Sequence, residues 1–216
     1  INSREFGLSK SRNLAIENAL GDILVIADDD IQYLPNFENT ILEAHEKYDQ
    51  ASLISFQFLA DEKEFNKNYP KKEGYTKSKK QRLSSIEITF KKKDILEKEI
   101  RMNENFGLGS IFPCAEEQIF KQSIESKGLR VAFVAKPIVK HFGGTTGFNQ
   151  EEPGFIRGMT AQKFLVYKNW IYLWLIKFVF FLFRHKYVSF LGQFKAYNVG
   201  LKAISEIKKL KNENKL

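Results

Sequence analysis

Ile23-Leu24-Val25-Ile26-Ala27-Asp28-Asp29-Asp30 is the stretch from which the rest of this chain is read. Five apolar residues, three of them β-branched, stand between polar neighbours, which is the pattern of a short buried strand. Acids at the C-terminal end of such a strand sit in the crevice where open α/β sheets bind ligands. Three adjacent carboxylates repel one another, and burying them unpaired is costly. A hard divalent cation, which takes carboxylate oxygens, relieves that cost. A solvated acidic turn is the alternative reading of the same three residues.

Working outward, Gly7-Leu8-Ser9-Lys10-Ser11-Arg12-Asn13 opens a helix that Ser9 or Ser11 can cap. Leu14, Ala15, Ala19 and Leu20 give it a packing face, and Gly21 suits its stop. Downstream, Pro35 fits a first helical turn, and Phe37, Ile41, Leu42 and Ala44 carry the next helix. Ser52 to Phe58 reads as a second strand. This helix–strand alternation predicts a parallel sheet with helices on its faces. Asp61 to Arg82 is Lys-rich and reads as a long exposed loop. Ile86 to Phe90 returns as a strand, and Asp94 to Ile100 as a short helix. Asn105 to Ser110 is a glycine-containing turn. Glu116 to Lys127 is an amphipathic helix with Ile119, Phe120 and Ile124 on one face. Glu116 and Glu117 open it as a solvated, dipole-favoured start, and Gly128 ends it. Leu129 to Ala135 is a strand, and Ile138 to His141 runs into a flexible loop at Phe142 to Gly147.

With 216 residues the chain holds one domain, or one plus an appendage. Its single cysteine, Cys114, excludes an intrachain disulfide and fits a reducing compartment. There is no secretory signal, internal repeat, Walker-type loop, zinc spacing or nucleophile elbow. The net charge of +8 is unevenly placed: residues 154–216 carry twelve Lys and Arg against two Glu, while residues 1–153 are near neutral. That asymmetry divides the chain into a domain over 1–153 and a helical, basic and aromatic region over 154–216, and it points to an anionic partner for the latter. Trp170 to Phe183 is apolar except for Lys177, yet shorter than the roughly 20 residues a membrane span needs. Trp170, Tyr172 and Trp174 favour a membrane interface, and Lys163, Lys168, Arg184, His185 and Lys186 flank them. A helix lying on an anionic leaflet fits, with peripheral contact across 163–195. The alternative is a helix packed on the domain, with Lys177 snorkelling. Ala196 to Lys211 reads as a basic terminal helix that frays. Nucleic acid is not expected as a partner, because the aromatics gather in one apolar run instead of alternating along a basic groove.

Taken in order, Gly7 to Ile16, Gly21-Asp22-Ile23, Asp28-Asp29-Asp30, Phe106-Gly107-Leu108-Gly109, Glu116-Glu117, Gly128-Leu129, Pro137 and His141 resemble the nucleotide-sugar half of family 2 glycosyltransferases. The resemblance covers about residues 7 to 147. It implies the GT-A fold, an α/β architecture with a mixed, mainly parallel sheet and flanking helices. It also implies roles. Asp28 and Asp30 match the ends of the family's Asp-x-Asp motif. Asp30 would hold the metal, Mn²⁺ or Mg²⁺, that bridges the donor's diphosphate. Asp28 would contact the ribose or help place that metal, and Asp29 and Arg12 would lie with it at the nucleotide. Glu117 stands where the general base is expected, and His141 where some GT-A enzymes supply a further metal ligand.

The function this implies is metal-dependent, inverting transfer of a sugar from a nucleotide-diphosphate donor, UDP being the commonest carrier. The acceptor would be a membrane-associated glycan in surface polysaccharide synthesis, at the cytoplasmic face of the cell membrane. The family's opening strand with its Thr/Ser-x-Tyr-Asn type signature is not found, and the chain starts at Ile1. That leads one to expect roughly 60 to 80 further residues upstream, about two βα units. The competing expectation is an inactive truncated remnant that acts as a membrane-surface interaction module.

Overall fold

The computed structural model describes residues 6–60, 69–76, 83–142 and 150–216. It divides into two compact units. One comprises Asn13–Met102 and Glu117–Gly144; the other comprises Ile1–Arg12, Asn103–Glu116 and Thr145–Leu216.

Among the described residues the first unit is built on a sheet of six strands: β1 (Ile23–Val25), β2 (Ile31–Tyr33), β3 (Ala51–Ala60), β4 (Gly74–Tyr75), β5 (Ile88–Lys91) and β6 (Arg130–His141). They lie in the order β1-β5-β3-β6-β2, with β4 also on β6. The mixed α/β architecture is as expected, but the sheet is not mainly parallel. Among the described pairings β3–β6 is parallel, whereas β1–β5, β3–β5, β2–β6 and β4–β6 are antiparallel. The reason is the placement of β5. It lies between β1 and β3 and runs against both, and the short strands β2 and β4 each add a further antiparallel pairing on β6.

Side chains alternate across the sheet as the pleat requires. Leu53, Ile88, Phe90 and Val131 enter one core with Ile16, Ile95, Phe120 and Ile124. These last come from α1 (Leu8–Asn18), α3 (Lys92–Glu97) and α4 (Glu116–Ser126). Ile54, Phe56, Phe58, Ala132 and Val134 enter the other core, against Ile41 and Ala44 of α2 (Phe37–Lys47). Phe90 and Phe120 meet edge to face at 5.2 Å, a favoured aromatic geometry.

Several expectations are corrected here. The two pieces expected at Leu129–Ala135 and Ile138–His141 form one strand through Pro137. Pro137 pairs with Gln57, where the register shifts on both sides, and an irregularity of that kind is where a strand tolerates proline. β1 is half-buried, not buried, because it is an edge strand among those described. In the stretch 61–82, read as loop, Gly74–Tyr75 is a strand on β6. Residues 61–68 and 77–82 of that stretch, and 143–149 of the loop expected at Phe142 to Gly147, lie outside the described residues.

The second unit contains α5 (Pro153–Tyr167), a 3₁₀ turn at Lys168–Trp170, α6 (Ile171–Arg184) and α7 (Gly192–Asn212). The three helices pack on one another. α7 does not lie apart as a fraying helix. It buries Ala196, Gly200, Ala203, Ile204 and Ile207, a stripe at helical spacing. Gly200 is required there, since a Cβ would lie 2.4 Å from Leu175 Cδ1.

Candidate functional site

In the sheet unit, β1 ends at Val25, and Asp29 and Asp30 form a turn into β2. β2 pairs antiparallel with the end of β6, Ile31 lying opposite His141. The Phe142 amide then donates to the Asp30 carbonyl at 2.9 Å. This pairing brings the Asp30 Oδ2 to 3.1 Å from His141 Nε2. Asp30 is half exposed, whereas the His141 ring is buried and its Nδ1 has no partner among the described residues. With its proton on Nε2 the ring donates to the carboxylate; with the proton on Nδ1, Nε2 is a bare nitrogen facing Asp30, the tautomer a metal would take.

Asp28 is half-buried, and the Ser85 hydroxyl donates to its Oδ2 at 2.9 Å. Ser85 begins a 3₁₀ turn, Ser85–Glu87, held by fully buried Glu87. The Ser84 amide donates to Glu87 Oε1 at 3.1 Å, and the Tyr69 hydroxyl donates to Oε2 at 2.9 Å. Tyr69 in turn accepts from the Phe58 amide at 3.1 Å. Burial, followed by the charge on Glu87, pushes the Tyr69 phenol well up from its ordinary pKa. Tyr33 is pushed up as well, by burial and then by the charge of Asp28. Asp29 is exposed in the turn, and Glu117 is buried at the start of α4.

The sequence reading did not single out Ser85, Glu87 or Tyr69. An acid at the entry to an apolar strand, Ser84-Ser85-Ile86-Glu87, was the available signal, since a buried carboxylate must be hydrogen-bonded.

In the helical unit, Arg12 Nη1 lies 3.4 Å from Glu116 Oε1, and both side chains are nearly buried. Glu116 is therefore not the solvated helix start that was expected; it is committed to Arg12. The Phe106–Gly109 turn is built closely around this pair. The Ser9 hydroxyl donates to the Phe106 carbonyl at 2.6 Å, and the Leu8 amide to the Leu108 carbonyl at 2.9 Å. Gly107 has φ +99°, and a Cβ there would lie 3.2 Å from Ser9 Oγ and 3.3 Å from Glu116 Cδ.

Of the expected metal ligands, Asp30 and His141 are brought together, while Asp28 is tied to Ser85. Among the described residues no group of three or more His, Cys, Asp or Glu converges on a point that could hold a cation. A carboxylate and an imidazole fit a manganese ion, and the carboxylate alone fits a magnesium ion, either taking its remaining ligands from substrate phosphates and water. They do not fit a cage made by protein alone.

The family model for glycosyl transferase family 2 matches residues 1–110. The chain belongs to this family. The match contains Arg12 and Asp28 to Asp30, whereas Glu116, Glu117 and His141 of this family 2 chain lie beyond it. No curated protein matches the chain. Its fold is similar to that of Staphylococcus aureus TarS. TarS 1–349 in complex with UDP-GlcNAc gives a TM-score of 0.51 at 13% identity, covering 73% of this chain and 47% of that one. Another S. aureus TarS structure gives 0.50 at 15% identity, covering 73% of this chain and 27% of that one. The chain spans less than half the length of these TarS chains. At this identity the likeness is one of fold, and it agrees with the GT-A-like mixed architecture.

Proposed function

We propose that this chain carries the donor-binding and catalytic groups of a metal-dependent, inverting glycosyltransferase that uses a nucleotide-diphosphate sugar. The observation that carries the reading is the Asp30–His141 pair at the turn after β1, 3.1 Å apart with the carboxylate open to solvent. Asp30 and His141 would hold Mn²⁺ or Mg²⁺, and such an ion, when bound, neutralises charge on a leaving diphosphate. Asp28, its carboxylate fixed by Ser85, contacts the nucleotide ribose, and exposed Asp29 completes the acidic rim. Arg12, paired with Glu116, is the residue that the resemblance assigns to the nucleotide.

Glu117 is the general base. It accepts the proton of the acceptor hydroxyl as that oxygen bonds to the anomeric carbon, and the bond from that carbon to the diphosphate oxygen breaks. A single direct displacement inverts the anomeric centre. The UDP-GlcNAc complex of TarS supports a UDP-sugar as the donor. The acceptor is a membrane-associated glycan of a surface polysaccharide, met at the cytoplasmic face. Residues 1–153 form the catalytic part and 154–216 the membrane-proximal part.

The test is to compare Glu117→Gln with wild type in protein produced from the full reading frame, by UDP affinity and by UDP-GlcNAc turnover. The expected result is affinity within about twofold and turnover lower by about 10²-fold or more. Unchanged turnover would remove Glu117 from the mechanism. Absence of both UDP binding and turnover in the wild type would favour the non-enzymatic membrane module instead.

A further inference from the structure

α6 is apolar except for Lys177 and Arg184, and a helix that is hydrophobic nearly all round is normally buried on most of its surface. Here Ile171, Leu175, Val179 and Leu182 form the buried stripe. On the opposite side Leu173, Ile176 and Phe180 are exposed, although they recur at the three-to-four-residue spacing of one helical face. The turn into α7 extends the apolar surface. Phe190, Leu191 and Phe194 are also exposed, with Phe190 stacked edge-on against both Phe183 and Phe194. Lys168, Lys177, Arg184, Lys186 and Lys195, all exposed, are interspersed with these apolar residues in the sequence. No Asp or Glu occurs anywhere from residue 154 to residue 205. Scattered exposed apolar residues need no explanation, but a contiguous patch with a rim of one charge sign does.

We propose that this face of α6, together with the α6–α7 turn, is a docking surface for an anionic lipid bilayer. This deepens the membrane-proximal part of the function proposed above and rests on it for its biological setting. Charge complementarity selects the occupant: basic residues beside an interfacial apolar face match acidic headgroups over an acyl boundary. The mode is peripheral. Residues 153–184 are long and apolar enough to cross a membrane by length and composition. However, Lys168 breaks the run at φ 48°, and α5 and α6 pack against each other. With 15 and 14 residues, each helix is only about 21–23 Å long, short of the roughly 30 Å hydrocarbon core.

The test is co-sedimentation of the full chain with vesicles of phosphatidylcholine, with and without 30% (about one third) phosphatidylglycerol. Binding is expected to the anionic vesicles, with release at about 0.5 M salt. Ile176→Glu/Phe180→Glu and Phe190→Glu/Phe194→Glu should each weaken it by about tenfold or more, and Lys177→Glu/Lys186→Glu by a similar factor. These positions are exposed, and unchanged circular dichroism melts would confirm that the variants fold. Equal binding to neutral vesicles, or unaltered binding by all three variants, would overturn the proposal. So would retention in the membrane pellet after alkaline extraction. A dimer in solution that the Phe180 variant disrupts, without vesicle binding, would assign the face to a second copy and overturn it as well. UDP affinity measured on the same samples keeps the two readings separable, since vesicle binding survives a failure of donor binding.

Discussion

Tyr69→Phe removes one oxygen and strikes the network under Asp28. The Tyr69 hydroxyl donates to Glu87 Oε2 at 2.9 Å and accepts from the Phe58 amide at 3.1 Å. Glu87 is fully buried, so loss of a hydrogen bond to its carboxylate costs about 1.5–3 kcal/mol. The ring itself still stacks on Phe133, with centroids 5.8 Å apart, so packing is retained. A loss of about 1.5–3 kcal/mol should lower Tm by about 3–12 °C for a chain of this size. Because Glu87 holds the turn that presents Ser85 to Asp28, UDP affinity should fall as well. Thermal and urea unfolding of Tyr69→Phe, Glu87→Gln and the double variant would measure the coupling, expected at about 1 kcal/mol or more. Tyr75→Phe, at an exposed tyrosine, is the control. Additive single-variant effects, or a Tyr69→Phe melt indistinguishable from wild type, would refute the reasoning.

Ser85→Ala should leave the fold intact and weaken UDP binding by about 1 kcal/mol, roughly fivefold, as read by calorimetry. Gly107→Ala combines φ +99° with contacts of 3.2 Å to Ser9 Oγ and 3.3 Å to Glu116 Cδ. Denaturant unfolding should show it less stable by about 1–3 kcal/mol. His45 is buried against Thr89, and burial, with Lys91 adding and Asp94 partly offsetting, brings its pKa down to about 4. The unfolded chain therefore takes up this proton first as pH falls from about 6.5, and the folded chain only near 4. Stability is full above that window and declines through it, by at most about 3 kcal/mol from this group. Urea titrations at pH 7 and pH 4.5 should show a smaller drop for His45→Gln than for wild type.

Most elements were legible because their periodicities are local. The packing face of α4, the strand Ser52–Phe58 and the acids after β1 all stand in the sequence as patterns of neighbouring residues. What was not legible depends on partners distant in sequence. Ile31-Gln32-Tyr33 is too short to announce a strand, yet its pairing with β6 is what places Asp30 beside His141. The order of the sheet was hidden for the same reason: nothing local says that β5 enters between β1 and β3. α5 was expected only within a helical region, without bounds of its own, because Gly154, Gly158, Thr160 and Gln162 interrupt its apolar pattern, although Gly158, Thr160 and Gln162 are buried. Glu116 was read as solvated because its counter-ion, Arg12, lies 104 residues away.

Asp30 and His141 are proposed to hold a cation for a nucleotide diphosphate. Calorimetric titration of UDP into protein from the full reading frame, with Mn²⁺ and with EDTA, tests it most directly. The expected result is binding that needs the metal and that weakens by about tenfold or more in Asp30→Asn. UDP binding that is equally tight in EDTA, or unchanged by Asp30→Asn, would contradict it.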